Sequence, residues 1–167
     1  MTVHVITASK HESTREIGEV IAQRLRDHGN EAVAEQAEAE PRIEPGDPVV
    51  LGSPIYMGKW RKEARKILEN LGEEPSGRAI WLFTAGPLGD PPEPADAKPE
   101  EAVERFAAER ARAHRMFTGK LDRAQLNRRE RLAVRAVKAP DGDFRDWAAI
   151  ETWADEIAEA LATDLRS

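Results

Sequence analysis

Three short stretches carry the side chains with chemistry to offer. The first is Ser9-Lys10-His11-Glu12-Ser13-Thr14, which follows an apolar run and opens an amphipathic segment. Backbone amides at a helix start are unpaired, and the helix dipole puts partial positive charge there. Ser9, Ser13 and Thr14 add hydroxyl donors, and Lys10 and His11 can add charge. The turn suits an anion, and Glu12 is the one residue that opposes it. It is neither the G-x-x-x-x-G-K-[ST] nucleotide loop nor the G-x-G-x-x-G dinucleotide loop, so a phosphate held here belongs to another ligand. Read alone, the same hydroxyls serve equally well as helix caps.

The second stretch, Ser53-Pro54-Ile55-Tyr56-Met57-Gly58-Lys59-Trp60, reads as a loop with groups that pack on an aromatic ring. Tyr56 is the only tyrosine and forms a candidate stacking wall. Gly58 lets a backbone approach a ligand closely. Trp60, near a helix start, reads more readily as core than as a ligand contact. The third stretch is Thr84-Ala85-Gly86-Pro87-Leu88-Gly89-Asp90. Its glycines bring backbone groups near a ligand edge or simply make a turn. Each stretch suits one part of a flat, phosphorylated ligand.

The elements that position these stretches follow from the apolar pattern. Val3 to Thr7, Val49 to Gly52 and Ala79 to Phe83 read as buried strands, and each runs straight into one of the three. A helix over Glu16 to Arg26 carries Ile17, Val20, Ile21 and Leu25 inward and ends at Gly29. Glu31 to Glu35 is a weak strand, and Glu38 to Pro48 a Pro-rich loop. A second helix spans about Lys59 to Leu71, with Ala64, Ile67, Leu68 and Leu71 inward. Pro91 to Pro99 is a surface loop and Glu100 to Ala113 a charged helix. Arg115 to Leu121 is a last strand, and Asp122 opens a helix through Leu126, Leu132 and Val137. After a turn at Pro140 to Asp143, Asp146 caps a final helix with Trp147, Ile150, Ala154, Ile157, Leu161 and Leu165 inward. Alternating strands and helices argue for a parallel sheet covered on both faces. Ligands bind such sheets beyond the C-terminal strand ends, which is where the three stretches fall.

The 167 residues suit one domain over 1–167, with no internal repeat. The formal charge of −6 disfavours broad nucleic-acid binding. With no cysteine, thiolate catalysis, disulfides and Cys-ligated metals are excluded, and a cytoplasmic location is expected. No signal peptide is expected at the N-terminus. No apolar run approaches the ~18 residues of a bilayer span.

The sequence resembles the flavodoxin fold and, more narrowly, the flavodoxin-domain family that includes the menaquinone-dependent protoporphyrinogen IX dehydrogenases. The matching pieces are Ala8-Ser9-Lys10-His11-x-Ser13-Thr14-Arg15-Glu16-Ile17, Val50-Leu51-Gly52-Ser53-x-Ile55-Tyr56-Met57-Gly58-Lys59-Trp60, Trp81-Leu82-Phe83-Thr84-x-Gly86-Pro87-Leu88-Gly89-Asp90 and Gly142-Asp143-Phe144-Arg145-Asp146-Trp147. The similarity spans nearly the whole chain and is more specific for the family than for a substrate. It implies an α/β three-layer sandwich with a five-stranded parallel sheet in order 2-1-3-4-5. It also implies an FMN site: the first stretch holds the phosphate, and the second and third flank the isoalloxazine ring. The flavin carries the electrons in such proteins, so no catalytic side chain and no metal is expected.

Glu12 stands where the family usually has glycine. A left-handed φ would strain it. Its carboxylate at ~6 Å from a phosphate costs roughly 0.7 kcal/mol in water, and several-fold more at an effective dielectric near 20. The expectation is an FMN-dependent oxidoreductase of the protoporphyrinogen dehydrogenase type that passes electrons to a quinone. The alternatives are a flavodoxin-like electron carrier, or a flavin-less binding module on account of Glu12. Lys120, Arg123, Arg128, Arg129, Arg131, Arg135 and Lys138 form a basic segment in an acidic chain. It reads as a solvated helix face, or as a docking patch for porphyrin propionates, an acidic redox partner or the inner face of a membrane.

Overall fold

The computed structural model describes residues 1–9, 12–56, 58–75, 77–86, 100–118, 120–121, 142–143 and 145–166, with the backbone alone at 56, 120, 121, 142 and 143. Strands β1 (Val3–Thr7), β2 (Ala32–Gln36), β3 (Val49–Tyr56), β5 (Ile80–Ala85) and β6 (Ala113–Phe117) lie parallel in the order β2-β1-β3-β5-β6. A two-residue strand, β4 (Lys59–Trp60), pairs antiparallel with the end of β3. Counted along the parallel strands alone, the order is the expected 2-1-3-4-5, and β4 is a sixth strand that was not foreseen.

The strand sequences explain the layering. Side chains alternate between faces along a strand. Val3, Val5, Val50, Trp81 and Phe83 pack on one face under α1 (Ser13–Asp27) and α4 (Trp147–Asp164). Ile6, Val49, Leu51, Ile80 and Leu82 pack on the other under α2 (Lys62–Glu73) and α3 (Glu101–Arg110). With both faces covered, the central strands read as continuous apolar runs. Gly52 lies opposite Phe83, and a Cβ there would sit 2.1 Å from the ring, so only glycine leaves room. The Phe83, Phe117 and Trp153 rings then meet one another, with centroids 5.5–6.1 Å apart.

Four expectations are corrected. The second helix starts at Lys62, because Lys59 and Trp60 turn back to pair with Tyr56 and Ile55. Gly58, at φ 75°, makes that turn possible. The last strand ends at Phe117, and Lys120–Leu121 (β7) joins Gly142–Asp143 (β8) in a separate antiparallel ribbon. Part of the expected turn at Pro140 to Asp143 is therefore strand. Leu165 is 72% exposed because α4 ends at Asp164, while Trp153, not named above, is buried. Asp146 caps α4 as expected, accepting from the Ala149 amide at 3.0 Å. The expected helix opening at Asp122, with most of the basic segment, lies outside the described residues.

The α1–α4 contact has a charged seam. Arg24 grips Asp155 through two bonds of 2.6 and 3.0 Å, and the His28 ring lies 2.7 Å from the same carboxylate. The Arg24 hydrogen bond, helped by that of His28, holds the Asp155 carboxyl at about 2 instead of 3.8. A depressed carboxyl stabilises the fold above its unfolded value and loses that contribution as pH falls through its folded value. Asp155→Asn should therefore lower the urea midpoint at pH 7. Urea curves across pH should show wild type and variant converging between about pH 4 and pH 2.

Candidate functional site

The parallel sheet delivers the ends of β1, β3 and β5 to one edge. Thr7 pairs with Gly52, Ser53 with Thr84, and Pro54 with Ala85, so the three expected stretches leave from neighbouring positions. The Ala8 amide also donates to the Gly52 carbonyl at 3.0 Å. Of the sequence-derived residues, Lys10, His11, Met57, Pro87, Leu88, Gly89 and Asp90 lie outside the described residues.

In the first stretch Glu12 adopts φ 61°, ψ −19°, the left-handed conformation that a glycine takes freely. Its side chain is 75% exposed and lies 3.5 Å from the Arg15 guanidinium. The Arg15 group is itself raised above its ordinary value, first by its hydrogen bond to Glu19. Glu12 is thus turned towards solvent and Arg15. Its side chain makes no cap on α1, although its carbonyl accepts from the Glu16 amide at 2.9 Å. Ser9 and Ser13 are half-buried. Thr14 is fully buried, and its Oγ1 has no hydrogen-bond partner.

The second stretch is a hairpin arm rather than a loop. Ser53 Oγ is buried, donates to the Pro54 carbonyl at 2.8 Å and accepts from the Arg61 amide at 3.0 Å. Its hydroxyl is committed to the base of the hairpin. Pro54 is buried, Ile55 half-buried, the Tyr56 backbone pairs with Lys59, and Lys59 is exposed. Trp60 is 2% exposed, which makes it core and removes it as a ring wall. Its indole Nε1 donates to Thr84 Oγ1 at 2.9 Å.

In the third stretch Thr84 is fully buried, and its Oγ1 also meets His114 Nε2 at 2.8 Å. Burial pushes the His114 imidazole below its ordinary value, with Glu104 opposing. The indole fills one acceptor site on Thr84, and the hydroxyl keeps a second acceptor site and its own proton for the His114 ring. His114 also meets the Trp60 ring edge-on at 6.2 Å. Ala85 is buried. Gly86 sits at φ 129°, its amide donates to the Phe117 carbonyl at 2.7 Å, and a Cβ there would meet Ile55 at 2.7 Å. Gly86 therefore keeps the second and third stretches close.

Two residues near the site escaped the sequence reading. His114 falls between the expected helix, which ends at Ala113, and the expected strand from Arg115, whereas β6 starts at Ala113. Arg145 lies in a quoted stretch that carried no assigned role. Its side chain is 3% exposed, and its Nη1 donates to Glu16 Oε2 at 2.6 Å and to the Ser13 carbonyl at 3.2 Å. Among the described residues no group of three His, Asp or Glu side chains is placed to hold a metal ion. No helix among them is long and apolar enough to cross a membrane. Among the described residues the site offers hydroxyls, amides and close backbone approach, which are means to hold a ligand.

The family profile described as Flavodoxin domain matches residues 4–147. No curated protein matches the sequence. Among solved structures, rubredoxin oxygen:oxidoreductase from the anaerobe Desulfovibrio gigas is similar over 99% of this chain, at 15% identity and a TM-score of 0.63. The chain spans only 37% of that protein. A Streptococcus pneumoniae flavodoxin matches over 96% of this chain and 99% of its own, at 15% identity and a TM-score of 0.59. A flavodoxin mutant from Fusobacterium nucleatum, bound to flavin mononucleotide, matches over 68% of this chain and 66% of its own, at 16% identity and a TM-score of 0.53. At these identities the likeness is one of fold.

The left-handed Glu12 carries a measurable cost. An L-residue in that conformation costs about 1–2 kcal/mol, against about 0.5–1 kcal/mol for the extra unfolded freedom of glycine. Glu12→Gly should therefore stabilise the protein by roughly 0.5–1 kcal/mol, read as a higher urea midpoint at unchanged slope.

Proposed function

The chain belongs to the flavodoxin-domain family, and from that premise we propose that it holds FMN at the ends of β1, β3 and β5 and works as a redox protein. The observation that carries this reading is the Thr14 hydroxyl, buried and unpaired in the first turn of α1. A buried, unsatisfied hydroxyl costs about 1–3 kcal/mol, and a phosphate oxygen at the helix start would satisfy it. The outward Glu12 removes the main objection to an anion, and the flavin nucleotide in the Fusobacterium nucleatum flavodoxin supports the choice of ligand.

When bound, FMN supplies the electron-accepting and electron-donating ring. The chain's own residues do the holding. Ser9, Ser13 and Thr14, with the amides of the first turn, grip the phosphate, and Lys10 and His11 add charge. Ile55 and Gly86 bring two backbones to the ring edge, and Gly58 and the segment Pro87 to Asp90 are assigned to the same part of the ligand. Tyr56 is the proposed stacking wall. Ser53, Thr84 and Trp60 act from beneath, through the buried bonds that fix the hairpin against β5. No residue is assigned to move a proton.

The finer reading is a quinone-dependent protoporphyrinogen IX dehydrogenase-like oxidoreductase, in the cytoplasm or against the inner membrane face. Its support is the run of matching sequence stretches through Trp147, and the segment Lys120 to Lys138 is its proposed dock for propionates or anionic lipid. The second reading is an electron carrier that meets a redox partner protein, favoured by the overlap with nearly the whole S. pneumoniae flavodoxin. Adding FMN to purified protein should give a bound-flavin visible spectrum and quenched flavin fluorescence. A protein that takes up no FMN would overturn the redox reading and leave a flavin-less module. In the loaded protein, quinone-dependent oxidation of protoporphyrinogen marks the enzyme, and its absence marks the carrier.

A further inference from the structure

Arg145 is nearly sealed from solvent at 3% exposure, an unusual state for a guanidinium. It sits two residues before α4 but points into the first turn of α1. There it bonds Glu16 Oε2 at 2.6 Å and the Ser13 carbonyl at 3.2 Å, while its carbon Cζ lies 4.5 Å from the centre of the Trp147 ring. Glu16 is the acidic residue of that first turn, in the same turn as the unpaired Thr14 hydroxyl. A carboxylate so close to an anion site would repel the anion unless it were neutralised.

We propose that Arg145 is a positioning residue for the anion loop, cancelling the Glu16 carboxylate and fixing Ser13 so that the first turn of α1 accepts a phosphate. The inference rests on the FMN reading above and deepens it. Arg145 acts on the phosphate half of the ligand through Glu16 and Ser13. Removing it leaves Glu16 uncompensated beside the phosphate, so the loss is electrostatic and selective. Riboflavin, which has the same ring and no phosphate, is indifferent to the change. Removing the Glu16 charge as well restores the balance.

The test is titration of the full-length protein with FMN and with riboflavin, followed by flavin fluorescence, with near-UV circular dichroism to check the fold. Arg145→Met should raise the Kd for FMN about tenfold, the order expected for one charge near a partly buried anion. The riboflavin Kd should stay within about twofold. Adding Glu16→Gln to Arg145→Met should recover most of the FMN affinity. Glu16→Gln alone, which leaves Arg145 in place, should tighten FMN several-fold and keeps the test open if Arg145→Met does not fold. Equal losses for both flavins, no rescue in the double variant, or no tightening in Glu16→Gln would overturn the inference while the FMN reading stands. A wild-type protein that binds neither flavin overturns both.

Discussion

One buried hydrogen bond joins the parts of the site that come from different elements. The Trp60 indole donates to Thr84 Oγ1 at 2.9 Å, and the same oxygen meets His114 at 2.8 Å. The bond ties the β3–β4 hairpin to the end of β5 and to the edge strand β6. Trp60 and Thr84 are buried away from water, so breaking the bond between them leaves a buried polar atom unsatisfied, at a cost of about 1–3 kcal/mol. Ser53 Oγ locks the hairpin base in the same way, through the Pro54 carbonyl and the Arg61 amide. These side chains fix the hairpin and the end of β5 from within the fold.

The other half of the site is electrostatic. Glu12 and Glu16 both lie at the start of α1, where acidic side chains suit the helix dipole but oppose a bound anion. The structure separates them. Glu12 turns to solvent and Arg15, at the expense of a left-handed backbone. Glu16, itself half-exposed, is tied to the buried Arg145 guanidinium. What remains in the turn is a set of amides and hydroxyls, with the Thr14 oxygen unpaired.

The central strands were readable because both of their faces are buried. Val3 to Thr7, Val49 to Leu51 and Ile80 to Phe83 are apolar or small at every position except His4, and each feeds a turn-forming stretch. β2 was faint because Val33 and Ala34 on this edge strand face outward. β4 was hidden because Trp60 continues the apolar spacing of Ala64, Ile67 and Leu68 backwards and so reads as helix. Leu165 was misread for the same reason: periodicity does not say where a helix stops. The three loops could be located from strand ends, but not which of their side chains face a ligand. Trp60 and Thr84 are 24 residues apart, Thr84 and His114 are 30, and Arg145 and Glu16 are 129. Local patterns carry no information on such pairs.

The central claim is that the ends of β1, β3 and β5 form one cradle for FMN, phosphate at α1 and ring at the two other turns. Backbone amide shifts measured by NMR during titration with FMN, and separately with riboflavin, test it most directly. The account predicts that amides of Ser9, Glu12, Ser13 and Thr14 shift strongly with FMN and weakly with riboflavin, while those of Ile55, Tyr56, Gly58 and Gly86 shift with both. Shifts gathered elsewhere on the fold, or equal responses of the α1 turn to both ligands, would contradict it.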